Sequence, residues 1–382
     1  MKHLMTNTKK AGGESFKIIA IMQLPPPIHG QSIMNQTIYD SQLINESFNF
    51  KTLPLHFAEL GNIGKPSTKK LWKMIYYLIV IFKELKKFKP DLVYFTLSPT
   101  GFAFFRDSLF VILIKSFRIK IVYHLHGTGI KEKSNNILIK YLYRFVFKNS
   151  NIILLSKLLK YDIKHLIDNN NTIYYLSNGI PCSPINVELF DLKLKNDYPV
   201  LLYISNITKT KGFYELFKIA SLLKDKGIKF NLLIVGGIKD IDLNEINRMI
   251  DFLSLKEYVR FLGPRYGNEK YSILSQSDFF VYPTCKDAFP LVLLEAMSMG
   301  IPILSTVEGA IQDIVDEGKT GYLLMKKDEK KFVEKLEILF ENKNLKNEMS
   351  INSKKKFETH YTKERFESNF IDIFQTIFTK MF

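Results

Sequence analysis

The chain has 382 residues, too many for one ordinary core and about right for two domains. Apolar residues make up 46% and charged ones 24%, which excludes a disordered chain; two cysteines, Cys182 and Cys285, exclude a disulfide framework and point to a reducing compartment. The formal charge of +16 is open to three readings: a nucleic-acid partner, an anionic membrane surface, or the lysine-rich composition of an AT-rich genome, where charge only solvates the surface.

The opening residues, MKHLMTNTKKAGGES, are polar and lack an apolar core, so they read as a frayed tail and not as a signal peptide. FKIIAIM (16–22) predicts the first strand. It runs into QLPPPIHGQS (23–32), where prolines stiffen a loop and Gly30 offers close approach; His29, Gly30 and Gln31 are the candidate ligand loop of this half. STKKLWKMIYYLIVIFKELKKF (67–88) has helical periodicity. Its run 71–82 is the most membrane-like of the chain, yet it includes Lys73 and is too short to span a bilayer. Lys69, Lys70 and Lys73 sit beside that run, and Lys83, Lys86, Lys87 and Lys89 follow it. Two uses fit: an amphipathic surface on anionic lipid, or a crossover helix burying its apolar side on a sheet.

LVYF (92–95), IKIVYHL (119–125), NIILLS (151–156) and TIYYLS (172–177) predict four further strands. The run 101–114 between them is broken by Arg106 and Asp107, so no transmembrane helix is expected. HLHGTG (124–129) ends a strand, and its two histidines are expected on opposite faces, His124 packed inward and His126 exposed over a bare glycine loop. Residues 181–197 carry prolines and no period, and read as a linker. The alternation restarts with VLLYIS (200–205), FNLLIVGG (230–237), VRFLG (259–263), DFFVYP (278–283), PILST (302–306) and GYLL (321–324). The last segment, 361–382, is an amphipathic helix with Thr362 as N-cap. Strands alternating with helices predict an α/β fold of two Rossmann-like, doubly wound domains facing a cleft, at 14–180 and 198–360. Ligands of such sheets bind beyond the carboxyl ends of the strands.

Chemistry concentrates in DAFPLVLLEAMSMG (287–300), at such an end. Asp287 is on a loop, Pro290 suits the first turn of a helix, and Gly300 stops that helix. The N–H groups around Ala288, Phe289, Pro290, Leu291 and Val292 form a positive helix end suited to phosphate. Glu295, among apolar neighbours, needs hydrogen-bond donors, which ribose hydroxyls would supply. Either acid alone also fits an ordinary surface position; together they read as a socket for a nucleotide carrying a polyhydroxylated group. Lys211–Gly212, in SNITKTKG (205–212), meets either phosphate or solvent. Gly309 and Ala310, after another strand, offer a further backbone approach to phosphate. The sequence holds no cysteine–histidine–acid cluster at metal-ligand spacing, no GxxxxGK[ST], no GxSxG and no GxGxxG after the first strand.

KG (211–212), FLG (261–263), DFFVYPTCKDAFPLVLLEAMSMGIPILSTVEGAIQDIV (278–315) and GKTGYLL (318–324) resemble, in order, the landmarks of the retaining glycosyltransferases of family 4, the group 1 nucleotide-sugar transferases of GT-B fold. PPPIHG, HLHG and LSNGI (176–180) look like that family's acceptor domain. The resemblance implies that the C-terminal helix returns to the first domain, that Glu295 holds ribose, Asp287 the donor sugar's hydroxyls and Lys211 the diphosphate, and that His126 lies close to the transferred sugar. Two positions depart from the pattern: Asn206 stands for the usual arginine, leaving Lys211, Lys209 or a first-domain cation to supply charge, and Pro290 stands for a glycine. The implied reaction moves sugar, with retention, from a nucleoside-diphosphate sugar, by family frequency a UDP-sugar, with no metal or cofactor. A saccharide acceptor, lipid-linked if the basic segment 69–89 meets membrane, would place the protein in the cytoplasm, on the inner membrane face, in surface polysaccharide assembly. No nucleic-acid partner is expected. The alternatives are a nucleotide-sugar 2-epimerase or sugar phosphorylase on the same fold, and a polyanion-binding protein.

Overall fold

A computed structural model of the chain describes residues 14–57, 68–182, 192, 194 and 197–381. Most of the expected N-terminal tail, Ser67 ahead of the first long helix, and most of the 181–197 linker lie outside these residues. The chain divides into two units: residues 1–179 with 363–382, and 180–362.

Among the described residues, unit 1 is built on six parallel strands: β1 (Lys17–Met22), β2 (Asn49–Pro54), β3 (Leu92–Phe95), β4 (Lys120–Leu125), β5 (Asn151–Leu154) and β6 (Thr172–Tyr175). Their order is β2-β1-β3-β4-β5-β6, so the chain reverses direction across the sheet between β1 and β3. The central strands are mainly apolar and buried along most of their length because both faces are covered. β2 is the strand that the pattern did not announce. It is an edge strand, with Asn49 exposed and Leu53 buried, and only half of it needs apolar residues. Helices Thr68–Phe88, Gly101–Ser116 and Ile137–Phe147 cover one face, sending Ile81, Leu85, Phe110, Ile114, Tyr143 and Phe147 into a single core.

The C-terminal helix, Lys363–Met381, belongs to unit 1. Phe366, Phe370, Phe374 and Phe378 recur every fourth residue, which puts them on one face of the helix. Phe378 stacks on Phe16 at 3.9 Å, Phe374 meets Phe48, and Phe370 meets Phe50 and Tyr94. Each buried phenylalanine contributes roughly 1.5–3 kcal/mol of apolar burial, so this ladder ties the chain's end to its first strands.

Unit 2 repeats the plan with β7 (Val200–Ile204), β8 (Asn231–Val235), β9 (Val259–Gly263), β10 (Phe279–Tyr282), β11 (Ile303–Thr306) and β12 (Gly321–Leu324). The order is β12-β11-β10-β7-β8-β9, all parallel, the doubly wound order whose reversal lies between β7 and β10. Among the described residues no helix is long and apolar enough to cross a membrane.

Candidate functional site

The loops leaving β7 and β10 flank the reversal of the unit 2 sheet, and both carry predicted residues. Thr210 O accepts from the N–H groups of Cys285 and Lys286, both at 3.0 Å, so the two loops are stitched together. Gly212 permits this closeness: a β-carbon there would lie 1.9 Å from the Pro283 carbonyl oxygen. Lys211 Nζ then sits 2.5 Å from Asp287 Oδ2 and also donates to the Lys286 carbonyl at 3.2 Å. Asp287 Oδ2 accepts a second bond, from the Tyr282 hydroxyl at 2.8 Å, and the Tyr203 hydroxyl donates to the Lys211 carbonyl. Burial and the neighbouring Asp287 carboxylate raise the Tyr282 hydroxyl well above the usual tyrosine range, so it stays a donor. Asn206 follows β7 and is exposed.

The helix after β10 runs Leu291–Ser298. Pro290 is its N-cap and not part of its first turn, and no side chain caps the helix. Its first turn carries no acid, so the positive end is not neutralised from within. Gly300 ends it as expected, with the N–H groups of Gly300 and Ile301 donating back to Met297 and Ala296. Phe289 packs edge-on against Tyr361, and Ala288 and Leu291 are buried while Val292 is partly exposed. Glu295 is 7% exposed. Its Oε1 accepts from Lys270 Nζ at 2.6 Å; its Oε2 is buried with no hydrogen-bond partner.

Gly309 and Ala310 serve the site differently from expectation. A β-carbon on Gly309, at φ +55°, would fall 2.1 Å from the Asp287 carbonyl oxygen. The close approach is therefore to the Asp287 backbone itself. Ala310 is fully buried and its N–H donates to Ala288 O at 2.8 Å, so it has no donor left for phosphate. This loop braces the one bearing Asp287, helped by the Ser305 and Thr306 hydroxyls, which donate to the Tyr282 and Thr284 carbonyls.

In unit 1, the loop after β1 also differs. His29 is the N-cap of helix Gly30–Asp40: its Nδ1 accepts from Ser32 N at 3.2 Å, while Ser32 Oγ accepts from His29 N. Gly30 is thus the first residue of a helix, not a loop glycine. Gln31 reaches the β3 exit, donating to Thr96 O at 3.2 Å. His124 and His126 do not point to opposite faces; their rings lie 4.0 Å apart, because residues two positions apart share a face. His124 is fully buried, with Nδ1 2.7 Å from the Tyr94 hydroxyl. His126 is not freely exposed: both its ring nitrogens are buried and unpartnered. Burial, then the nearby His29, holds His126 down to about 3, so the ring is neutral at ordinary pH.

Residues 185–356 match the family described as glycosyl transferases group 1. The match covers 172 of the chain's 382 residues, a little under half of it. The chain is therefore similar to transferases, enzymes that move glycosyl groups. It is 29% identical over 230 residues to the capsular polysaccharide biosynthesis glycosyltransferase CapM of Staphylococcus aureus, covering 57% of this chain and 60% of that protein. It is 30% identical to the N-acetyl-alpha-D-glucosaminyl L-malate synthase of Bacillus anthracis, over 54% of each. The chain thus spans little more than half the length of these two relatives. Sucrose-phosphate synthase from Thermosynechococcus elongatus superimposes with a TM-score of 0.76 at 15% identity, over 95% of this chain and 100% of that one. Anabaena HepE in complex with UDP-glucose does so with a TM-score of 0.68 at 15% identity, over 94% and 100%. The shared fold is the α/β architecture of GT-B glycosyltransferases, with two doubly wound parallel sheets.

Two residues of the candidate site escaped the sequence reading. Lys270, the partner of Glu295, stands on helix Gly267–Ser275, which follows the exit of β9. The signal was present, since VRFLG reads as a strand and each strand exit is a candidate site. Tyr282, which holds Asp287, closes β10 and looks like core.

Proposed function

We propose that the chain is a retaining glycosyltransferase that takes sugar from a UDP-sugar and delivers it to a saccharide acceptor, lipid-linked, in the assembly of a surface polysaccharide such as capsule or lipopolysaccharide. The observation that carries this reading is the half-satisfied Glu295 carboxylate: one oxygen bound to Lys270, the other buried and without a partner, behind a helix start that bears no acid. A buried orphan acceptor is costly unless a ligand donates to it, and a ribose offers two adjacent hydroxyls.

The diphosphate then belongs at the start of helix Leu291–Ser298 and beside Lys211. A lysine ammonium has three N–H donors. Asp287 and the Lys286 carbonyl take two in Lys211, leaving one for a phosphate oxygen. Asp287 Oδ2 is held by Lys211 and Tyr282, which orients Oδ1 to accept from a sugar hydroxyl. The bond from the anomeric carbon to the phosphate oxygen breaks, the electron pair leaves with UDP, and the acceptor oxygen bonds to the same face while its proton passes to the departing phosphate oxygen. Lys211 and the helix N–H groups stabilise the charge that grows on the diphosphate. Asn206 supplies no charge, so Lys211 carries more of that burden. His126, neutral and with two unpartnered nitrogens, is suited to hydrogen bonding a sugar hydroxyl and not to holding charge. No metal or organic cofactor enters this scheme. The likeness to CapM, a glycosyltransferase of capsular polysaccharide biosynthesis, supports the polysaccharide setting, and the HepE complex with UDP-glucose supports the donor.

The test is turnover of a panel of sugar nucleotides, with free nucleotide as the readout, with and without lipid-linked saccharides, and the product anomer read by NMR. Release of UDP with an α-configured product from an α-configured donor supports the reading. Conversion of the donor sugar without UDP release would assign an epimerase instead, and phosphate-dependent cleavage a phosphorylase.

A further inference from the structure

We propose that unit 1 docks on an anionic membrane surface through the outer face of three neighbouring helices, Thr68–Phe88, Gly101–Ser116 and Ile137–Phe147. This goes beyond the nucleotide site, which lies in unit 2, and does not depend on it.

Each helix is apolar on two sides. The inner side packs on the unit 1 sheet. The outer side should then be polar, as in a helix covering a water-soluble domain. It is not. On the first helix Leu71, Trp72, Ile75, Tyr76, Ile79 and Phe82 are all exposed, with Trp72 at 71%. On the second the stripe is Phe102, Phe105, Leu109 and Ile112. On the third it is Ile137, Leu138, Tyr141 and Phe145, with Leu138 at 75%. The helices adjoin: Phe82 meets Phe117 edge-on just past the second helix, Phe104 stacks on Tyr143 at 4.0 Å, and Lys115 Nζ donates to the carbonyls of Phe145 and Lys148. The stripes therefore belong to one surface, broader than the scattered apolar residues of an ordinary monomer.

The charge around that surface names the occupant. Lys69, Lys83, Lys86 and Lys87 are exposed along the first helix, whose acid, Glu84, is engaged by Lys51. Arg144 and Lys148 are exposed at the end of the third. Two open cavities lie there, of about 300 and 490 Å³. Lys115, Arg118, Lys120 and Lys148 line the first; Arg144, Lys148 and His165 line the second, with Asp168 as its acid. Apolar side chains framed by cations, with basic cavities of headgroup size at the rim, match a leaflet of anionic phospholipid. A second copy of the chain would bring the same cations face to face.

Trp72 is the chain's one tryptophan, so it reports on this face without a label. The full chain is titrated with vesicles of equal phosphatidylglycerol and phosphatidylcholine at physiological salt, following Trp72 emission and co-sedimentation. A blue shift with binding is expected, weakened by 0.5 M NaCl and by omission of phosphatidylglycerol. Leu138→Glu, on a different helix from the reporter, should cut binding by about tenfold or more, while the melting temperature and the response to UDP stay as in wild type. No shift with anionic vesicles, equal binding to phosphatidylcholine alone, or a shift that grows with protein concentration in the absence of lipid would overturn the proposal; the last would assign the face to a second copy.

Discussion

Replacing Lys270 by methionine strips Glu295 of its ion-pair partner. The two side chains are 18% and 10% exposed and 2.6 Å apart. Breaking a buried pair by removing one member costs roughly 3–5 kcal/mol. Water reaches part of Lys270, so a loss of about 2–3 kcal/mol is expected at pH 7. Protonating an ordinary glutamate at pH 7 costs about 3.7 kcal/mol, which sets the ceiling. For a unit of this size that loss lowers the melting temperature by roughly 4–12 °C. It should shrink as the pH falls toward 4, because the orphaned carboxylate, stranded in the folded state, takes up a proton there. Adding Glu295→Gln to Lys270→Met should recover most of it, since the stranded charge is gone. Trp72 lies in unit 1, so calorimetry or far-ultraviolet circular dichroism is the assay for unit 2. A loss below about 0.5 kcal/mol, the level of an exposed pair, or one indifferent to acid, refutes the reasoning.

Gly309→Ala places a β-carbon 2.1 Å from the Asp287 carbonyl oxygen at a left-handed φ of +55°. The conformation alone costs about 1–2 kcal/mol, so the variant should melt lower and respond less to nucleotide; wild-type behaviour in both would contradict the bracing role. Burial depresses His124 well below and His126 to about 3 from the ordinary 6.5. Their contribution to stability is whole above 6.5 and is lost as the pH falls from there toward 3. His126 alone should lose about 1.4 kcal/mol by pH 5.5, measurable in unit 1 by urea unfolding followed at Trp72, and His126→Gln should flatten that slope. Phe370→Ala, in the middle of the C-terminal ladder and fully buried, should cost unit 1 about 3–5 kcal/mol in the same assay; a cost under 1 kcal/mol would mean the helix is not docked there.

Among the described residues eleven of the twelve strands were legible, most of them because buried parallel strands are continuous apolar runs. β2 was not, since an edge strand with Asn49, Lys51 and Thr52 carries half the signal. Asp287 and Glu295 were legible because a proline separates a loop acid from a helix acid. What holds them was not. The Lys270–Glu295 pair joins residues 25 apart, and the Lys211–Asp287 pair residues 76 apart, so both depend on sheet order. The Gly309 loop was read as a phosphate cradle, whereas its glycine answers to the Asp287 backbone, a contact no local pattern encodes. The helix 68–88 was read as either a sheet-covering helix or a lipid-facing one; its inner side packs on the sheet while Trp72 and Tyr76 remain exposed on the other.

The nucleotide socket is tested most directly by a thermal-shift panel of UDP, GDP, ADP and CMP on wild type and Glu295→Ala, each compared with its own ligand-free melting. A nucleotide at about 100 times its dissociation constant adds roughly 2.7 kcal/mol. UDP should raise the melting temperature of the wild type, and the rise should shrink markedly in Glu295→Ala. If no nucleotide shifts the wild type, or if UDP shifts both proteins alike, Glu295 Oε2 is not the ribose acceptor and the donor site lies elsewhere.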